Sequence, residues 1–143
     1  MSLIKPKQRV VIGMMDGFGM EYYNATPLQN IKARLAKEGF FKQVTGVYPS
    51  VTNVNNVSIA CGTWPKQHGI TANSYFDQAS GCANYMNAAE MIRSDTIFSP
   101  PTRQGIKCAL LSAKKKSVEL FKRDTEIAVA AEDAPQEYLE RYG

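Results

Sequence analysis

Histidine is almost missing from this chain: His68 is the single copy among 143 residues. A metal centre built from several histidines of this sequence is therefore excluded. Cysteine is scarce as well. Cys61, Cys82 and Cys108 are odd in number and widely spaced, with no CxxC pair, which argues against both a disulfide framework and a cysteine zinc site. A reducing compartment, the cytoplasm, is the expectation. No apolar run approaches the roughly 18 residues of a membrane-spanning helix. The basic start Met1 to Lys7 is not followed by an apolar stretch of roughly 7 to 15 residues, so it does not read as a secretory signal. Neither a membrane nor a nucleic acid is expected as a partner. The basic excess of 17 over 13 acidic residues sits in short clusters such as Lys114, Lys115, Lys116 and Lys122, Arg123, and no aromatics interleave with them. Repeats and low-complexity linkers are absent too.

What is present is the composition of a globular protein, 44% hydrophobic and 21% charged. A chain of this length can bury roughly 68 to 70% of its unfolded surface, enough for one real core. Arg9 to Met15 is a continuous apolar run ending at Asp16-Gly17, the pattern of a strand buried on both faces of a parallel sheet. That places Asp16 at the carboxyl end of a strand, where open α/β sheets hold ligands. Thr26 as N-cap, Pro27 at the first helical position, Leu28, Ile31 and Leu35 in helical spacing and Gly39 as stop predict a helix over 26–38. Val44 to Tyr48 reads as a second strand closed by Pro49-Ser50.

Thr52 then has the chemistry of an N-cap for a helix over 53–60 that stops at Gly62. Gly69 to Asp77 is a loop running into a β-like stretch, with a turn at Gly81. Ser94-Asp95-Thr96 can cap a further helix, which Pro100-Pro101 must break or restart. Lys107 to Ala113 reads as a buried strand, followed by a short helix through Lys122 and another strand at 127–131. A new helix is expected from Asp133 to Tyr142, with a domain boundary near 131.

Each candidate residue carries a bland reading beside a chemical one. Asp16 can cap the turn after it, or ligate a divalent cation that Gly17 and Gly19 let the backbone approach. Thr52 can be a helix cap, or a hydroxyl nucleophile whose alkoxide the helix N-terminus and a metal both favour. His68 reads better as a residue fixing its loop than as a ligand. The Lys114 to Lys116 run is either a solvated helix start or an anion site at the sheet edge that carries Asp16. Asn73 by itself carries no signal.

Met14-Met15-Asp16-Gly17, Pro49-Ser50-Val51-Thr52-Asn53 with Asn55-Asn56 and Ser58 to Gly62, then Pro65, His68-Gly69-Ile70 and Asn73 to Asp77, form an ordered set that resembles the alkaline phosphatase superfamily. Within it they look most like the phosphonoacetate hydrolases, from about residue 8 to the last. The resemblance implies a three-layer αβα core with a mostly parallel sheet, residues 1–131 being its N-terminal part and 132–143 the start of a cap insertion. It also implies a two-zinc hydrolase that cleaves the C–P bond of phosphonoacetate to acetate and phosphate through a phospho-threonine intermediate. Asp16 matches a metal-ligand aspartate, Thr52 the nucleophile that also contacts zinc, and Asn73 a residue holding a phosphonyl oxygen. Lys114 and Lys116 match a Lys-x-Lys pair associated with the substrate carboxylate, although Lys115 makes the motif more basic than the family pattern. The remaining metal ligands are expected beyond residue 143, so the chain would supply the nucleophile half of the site. A homodimer is compatible with this reading. A nucleotide pyrophosphatase or phosphodiesterase of the same superfamily, or a fragment with only a binding or structural role, are the alternatives.

Overall fold

The computed structural model describes residues 9–133, which divide into two units, Val10–Gly46 and the part from Val47 onward together with Arg9. In the first unit the expected strand at 9–15 does not form a ladder. Its residues have no strand partner among the described residues, and Val10 and Val11 are 80% and 85% exposed. An apolar run records a preference for burial, but a strand exists only where a neighbouring strand takes its hydrogen bonds. The second expected strand, at 44–48, fails in the same way; Val44 is exposed and Tyr48 precedes Pro49 in a cis peptide.

Two helices shape this unit, α1 (Met20–Ala25) and α2 (Gln29–Glu38). The expected start of α2 at Thr26-Pro27 is corrected by two residues. Thr26 closes α1 instead, its N–H donating to Tyr22 O at 2.9 Å, while its carbonyl accepts from Lys32 Nζ at 3.0 Å. The chain then reverses through Leu28 at φ 34°, and α2 begins after it. Tyr23 stacks on Phe41 at 4.2 Å between ring centroids, and Lys32 Nζ lies 4.9 Å from the Tyr23 ring.

The second unit holds the core. Helix α3 (Thr52–Cys61) starts from an extended Val51 and ends where Gly62, at φ 61°, takes the left-handed conformation a side chain disfavours. Val54, Val57 and Ala60 of α3 are buried with Ile70, Ile92, Leu120 and Phe121. Asn55 ties the approach to α3: its Oδ1 accepts from Val47 N at 2.8 Å and its Nδ2 donates to Val51 O at 3.2 Å. After the single turn α4 (Pro65–His68) come β1 (Ser74–Asp77) and β2 (Cys82–Tyr85), an antiparallel hairpin with Ser74 opposite Tyr85 and Asp77 opposite Cys82. Its turn is closed by the Asp77 carboxylate, which accepts from Ala79 N at 3.1 Å and Ser80 Oγ at 2.6 Å, with Gly81 at φ 66°.

The expected helix start at Ser94-Asp95-Thr96 does not form; Pro100 and Pro101 instead fall in the first turn of α5 (Ser99–Arg103), whose N-cap is Phe98, where their missing N–H groups cost nothing. Then β3 (Ala109–Ser112), α6 (Lys115–Phe121) and β4 (Ile127–Ala130) make a parallel unit, with Ala109 opposite Ile127 and Ser112 opposite Ala130. Helix α6, which buries Val118, Leu120 and Phe121, packs on both strands, giving the α/β organisation expected from the sequence. The Arg123 guanidinium, just past α6, donates to Ile92 O at 3.0 Å and Ser94 O at 2.7 Å. That fork latches the 92–94 loop, and just beyond it the Ile97 N–H bonds to Ala60 O of α3 at 2.8 Å. A 3-10 turn at Ala131–Asp133 follows β4; the expected helix from Asp133 lies, apart from that first residue, outside the described residues.

Candidate active site

Thr52 is the first helical residue of α3 rather than its cap, the N-cap position being taken by Val51. This half-buried threonine sits at the helix end where backbone N–H groups and the positive end of the dipole converge. One of those donors is already engaged. The Asn53 N–H donates to Asn73 Oδ1 at 2.9 Å, so Asn73, which reads as an ordinary loop residue, is brought within one residue of Thr52. Because its oxygen is committed to an N–H, the Asn73 amide presents its NH₂ as the remaining polar end. The Asn53 side chain completes the join, donating from Nδ2 to Met86 O at 2.8 Å, while Met86 N donates to Asn73 O at 2.9 Å.

The lysine triplet separates into three roles. Lys114 stands at the N-cap of α6, its N–H donating to Ser112 Oγ at 3.2 Å. Lys115 turns towards the 3-10 turn, where its N–H meets Glu132 Oε2 at 2.8 Å and its Nζ meets Asp133 Oδ1 at 3.1 Å. The extra charge that departs from the family pattern is thus balanced locally. Lys116 lies with Nζ 3.3 Å from the centroid of Tyr85, a cation–π contact on the last residue of β2. Tyr85 pairs with Ser74, the residue after Asn73, so the hairpin carries both the amide near Thr52 and the ring that receives Lys116. Sequence reasoning missed Asn53 and Tyr85. Neither has a motif; only the fold joins them to the site.

His68 is fully buried, and both ring nitrogens are engaged. The Ile70 N–H donates to Nδ1 at 3.1 Å, which makes Nδ1 the acceptor and puts the proton on Nε2. Nε2 faces Ser58 Oγ at 2.9 Å, and the Ser58 hydroxyl passes its own proton to Val54 O at 2.7 Å. Burial holds the imidazole below its ordinary pKa, in keeping with a neutral ring. The loop-fixing reading of His68 therefore stands on geometry. Cys61, at the end of α3, is no better placed for chemistry. Burial pushes its thiol up, Arg123 opposes the shift and Asp95 adds to it.

Asp16 lies in the other unit, at an exposed turn with Gly17 at φ 70°, immediately before α1. It is a turn residue, not the end of a ladder-forming strand. The Asp16 carboxylate and, separately, the Thr52 hydroxyl are each of a chemistry that a divalent metal accepts, both being oxygen ligands. Among the described residues no group of three or more His, Cys, Asp or Glu side chains gathers as a metal cluster, and His68 has no lone pair left to give.

Residues 10–142 match the type I phosphodiesterase / nucleotide pyrophosphatase family. The chain belongs to that family. Its placement in the alkaline phosphatase superfamily is supported by solved structures of phosphonoacetate hydrolase from Sinorhizobium meliloti 1021, in complex with phosphonoacetate or phosphonoformate. These align at a TM-score of 0.50 with 35% and 37% identity, over 55% of this chain and 19% of theirs. Curated relatives of this phosphodiesterase family include an ectonucleotide pyrophosphatase/phosphodiesterase of Caenorhabditis elegans, 42% identical over 72 residues, half of this chain. Another is human ectonucleotide pyrophosphatase/phosphodiesterase family member 1, 33% identical over 93 residues, 64% of this chain. The chain spans about a tenth of the length of these two relatives, 9% of each.

Proposed function

We propose that this family member provides the nucleophile side of a phosphorus-directed hydrolase, and that its substrate is a small carboxylated phosphonate such as phosphonoacetate. In this reading the Thr52 oxygen attacks phosphorus and the C–P bond breaks. The carbon leaving group takes up one proton, equal in count to the one Thr52 releases, and departs as acetate. Water then cleaves the phospho-threonine to phosphate and restores the hydroxyl. The Asn73 NH₂ donates to a phosphorus-bound oxygen, adding charge stabilisation where negative charge accumulates. Lys116 and Lys114 meet the carboxylate, which a substrate of this class carries about two bonds from phosphorus. Asp16 and Thr52, each taken by itself, offer an oxygen ligand that zinc would accept, and zinc when bound acidifies a ligated hydroxyl.

The observation that carries the carboxylate specificity is Lys116 resting on Tyr85, since it puts a cation on the same hairpin that holds Asn73 next to α3. A nucleotide substrate needs an open aromatic face for its base, and here the Tyr85 face receives an ammonium group. The second reading, a nucleotide pyrophosphatase or phosphodiesterase, is favoured by the family match and by the names of the curated relatives. The intact protein supplied with zinc distinguishes them. Phosphate release from phosphonoacetate, abolished together with any covalent phosphoryl adduct by Thr52→Ala, is the expected result. Hydrolysis of a nucleotide phosphodiester with no release from phosphonoacetate would replace the first reading by the second. Turnover retained in Thr52→Ala would remove the nucleophile from both.

A further inference from the structure

Three hydrogen bonds close a ring around the start of α3. Asn53 N–H donates to Asn73 Oδ1 at 2.9 Å, Met86 N–H donates to Asn73 O at 2.9 Å, and Asn53 Nδ2 donates to Met86 O at 2.8 Å. Each of the three residues bonds to the other two. We infer that Asn53 is the positioning residue of the site: its backbone N–H claims the Asn73 oxygen, and its side chain holds that arrangement in place through Met86.

Donor and acceptor types decide the orientation of the Asn73 amide. A free asparagine amide can present either oxygen or nitrogen to solvent, and its rotation exchanges a donor for an acceptor. Here a backbone N–H that belongs to the helix claims the oxygen. That N–H lies one residue beyond Thr52, so the NH₂ group that remains is held at the helix end where an anionic oxygen is stabilised. The Asn53 side chain supports the arrangement from the other side. By holding the Met86 carbonyl it keeps the strand end against α3, and with it the Met86 N–H that restrains the Asn73 backbone. A side chain at position 53 without an amide donor leaves the Met86 carbonyl unclaimed and loosens Asn73.

This inference rests on the reading of Asn73 as a donor to a phosphorus-bound oxygen, and its test separates the two. Asn53→Leu keeps most of the shape and removes the donor to Met86 O without adding charge beside the anion; Asn53→Ala removes the side chain, should the leucine variant fail to fold. Equilibrium binding of inorganic phosphate and of phosphonoacetate to the intact zinc-loaded protein is measured alongside kcat. In the wild-type background Asn53→Leu is expected to weaken phosphate binding about fivefold, the size of one hydrogen bond. In an Asn73→Ala background the same change is expected to do almost nothing, because the group it positions is gone. Equal losses in both backgrounds, or no loss in either, would overturn the positioning role. Wild-type protein that binds phosphate with this coupling yet releases none from phosphonoacetate would leave Asn53 in place and remove the substrate reading.

Discussion

Replacing His68 by leucine tests whether this histidine is a structural post or a functional ligand. The imidazole is fully buried, takes the Ile70 N–H on Nδ1 and bonds through Nε2 to Ser58. Leucine keeps most of the volume and removes both bonds. The Ile70 N–H is then left inside the core without an acceptor, at about 1 to 3 kcal/mol, and the Ser58 contact adds roughly another 1 kcal/mol. Ser58 itself stays satisfied through Val54 O. A loss of about 2 to 4 kcal/mol follows, a large part of the ~5 to 15 kcal/mol that holds a typical domain. Urea unfolding followed by circular dichroism should show a lower midpoint at unchanged slope. There is a pH signature as well. Because burial lowers the folded-state pKa of His68, the unfolded chain binds more protons between that lowered value and the ordinary 6.5, so stability rises with pH across this window. One such group contributes a slope of at most about 1.4 kcal/mol per pH unit, fully gained above 6.5 and lost as pH falls. His68→Leu should flatten that part of the profile. Unchanged stability combined with lost zinc binding would refute the reasoning and make His68 a ligand.

Two further changes bear on the fold and the site. Gly69 sits at φ 86°, and a Cβ there would come within 3.1 Å of the Arg93 side chain and the Met91 carbonyl, so Gly69→Ala should cost about 1 to 3 kcal/mol and lower Tm in a thermal melt. Tyr85→Leu should weaken binding of phosphonoacetate about two- to fivefold, the worth of an exposed cation–π contact, while leaving inorganic phosphate binding unchanged; Tyr85→Phe, which keeps the ring, should bind both as wild type does.

The second unit was legible in the sequence where local signals and tertiary packing agree. Helix α3 ends at Gly62 because the glycine reaches a positive φ there, and the prolines at 100 and 101 enter only the first turn of α5. The parallel partners β3 and β4 were legible because their apolar stretches flank a helix with its own burial pattern. The expected strands at 9–15 and 44–48 were misread because hydrophobicity specifies neither the partner nor the register of a ladder. Helix α1 was missed since its six residues bury nothing and show no periodic face, and its end at Thr26 took the residue that resembled a cap for α2. The place of Thr52 at a helix start was legible from the helix that follows it, although it opens the helix where a cap was expected. Asn53 was not, because its meaning lies in bonds to Asn73 and Met86, 20 and 33 residues away.

The exposed run from Val10 to Met15 has a consequence for how the protein behaves in solution. These six residues are uncharged and free of proline, three of them are β-branched, and none is buried. Such a segment is a template for pairing with its own kind whenever it stays uncovered. Arg9 and Asp16 bracket it with opposite charges, acting as gatekeepers that restrain lateral growth of such pairs. A neutral residue at position 16 would remove a charge flanking this run along with a carboxylate.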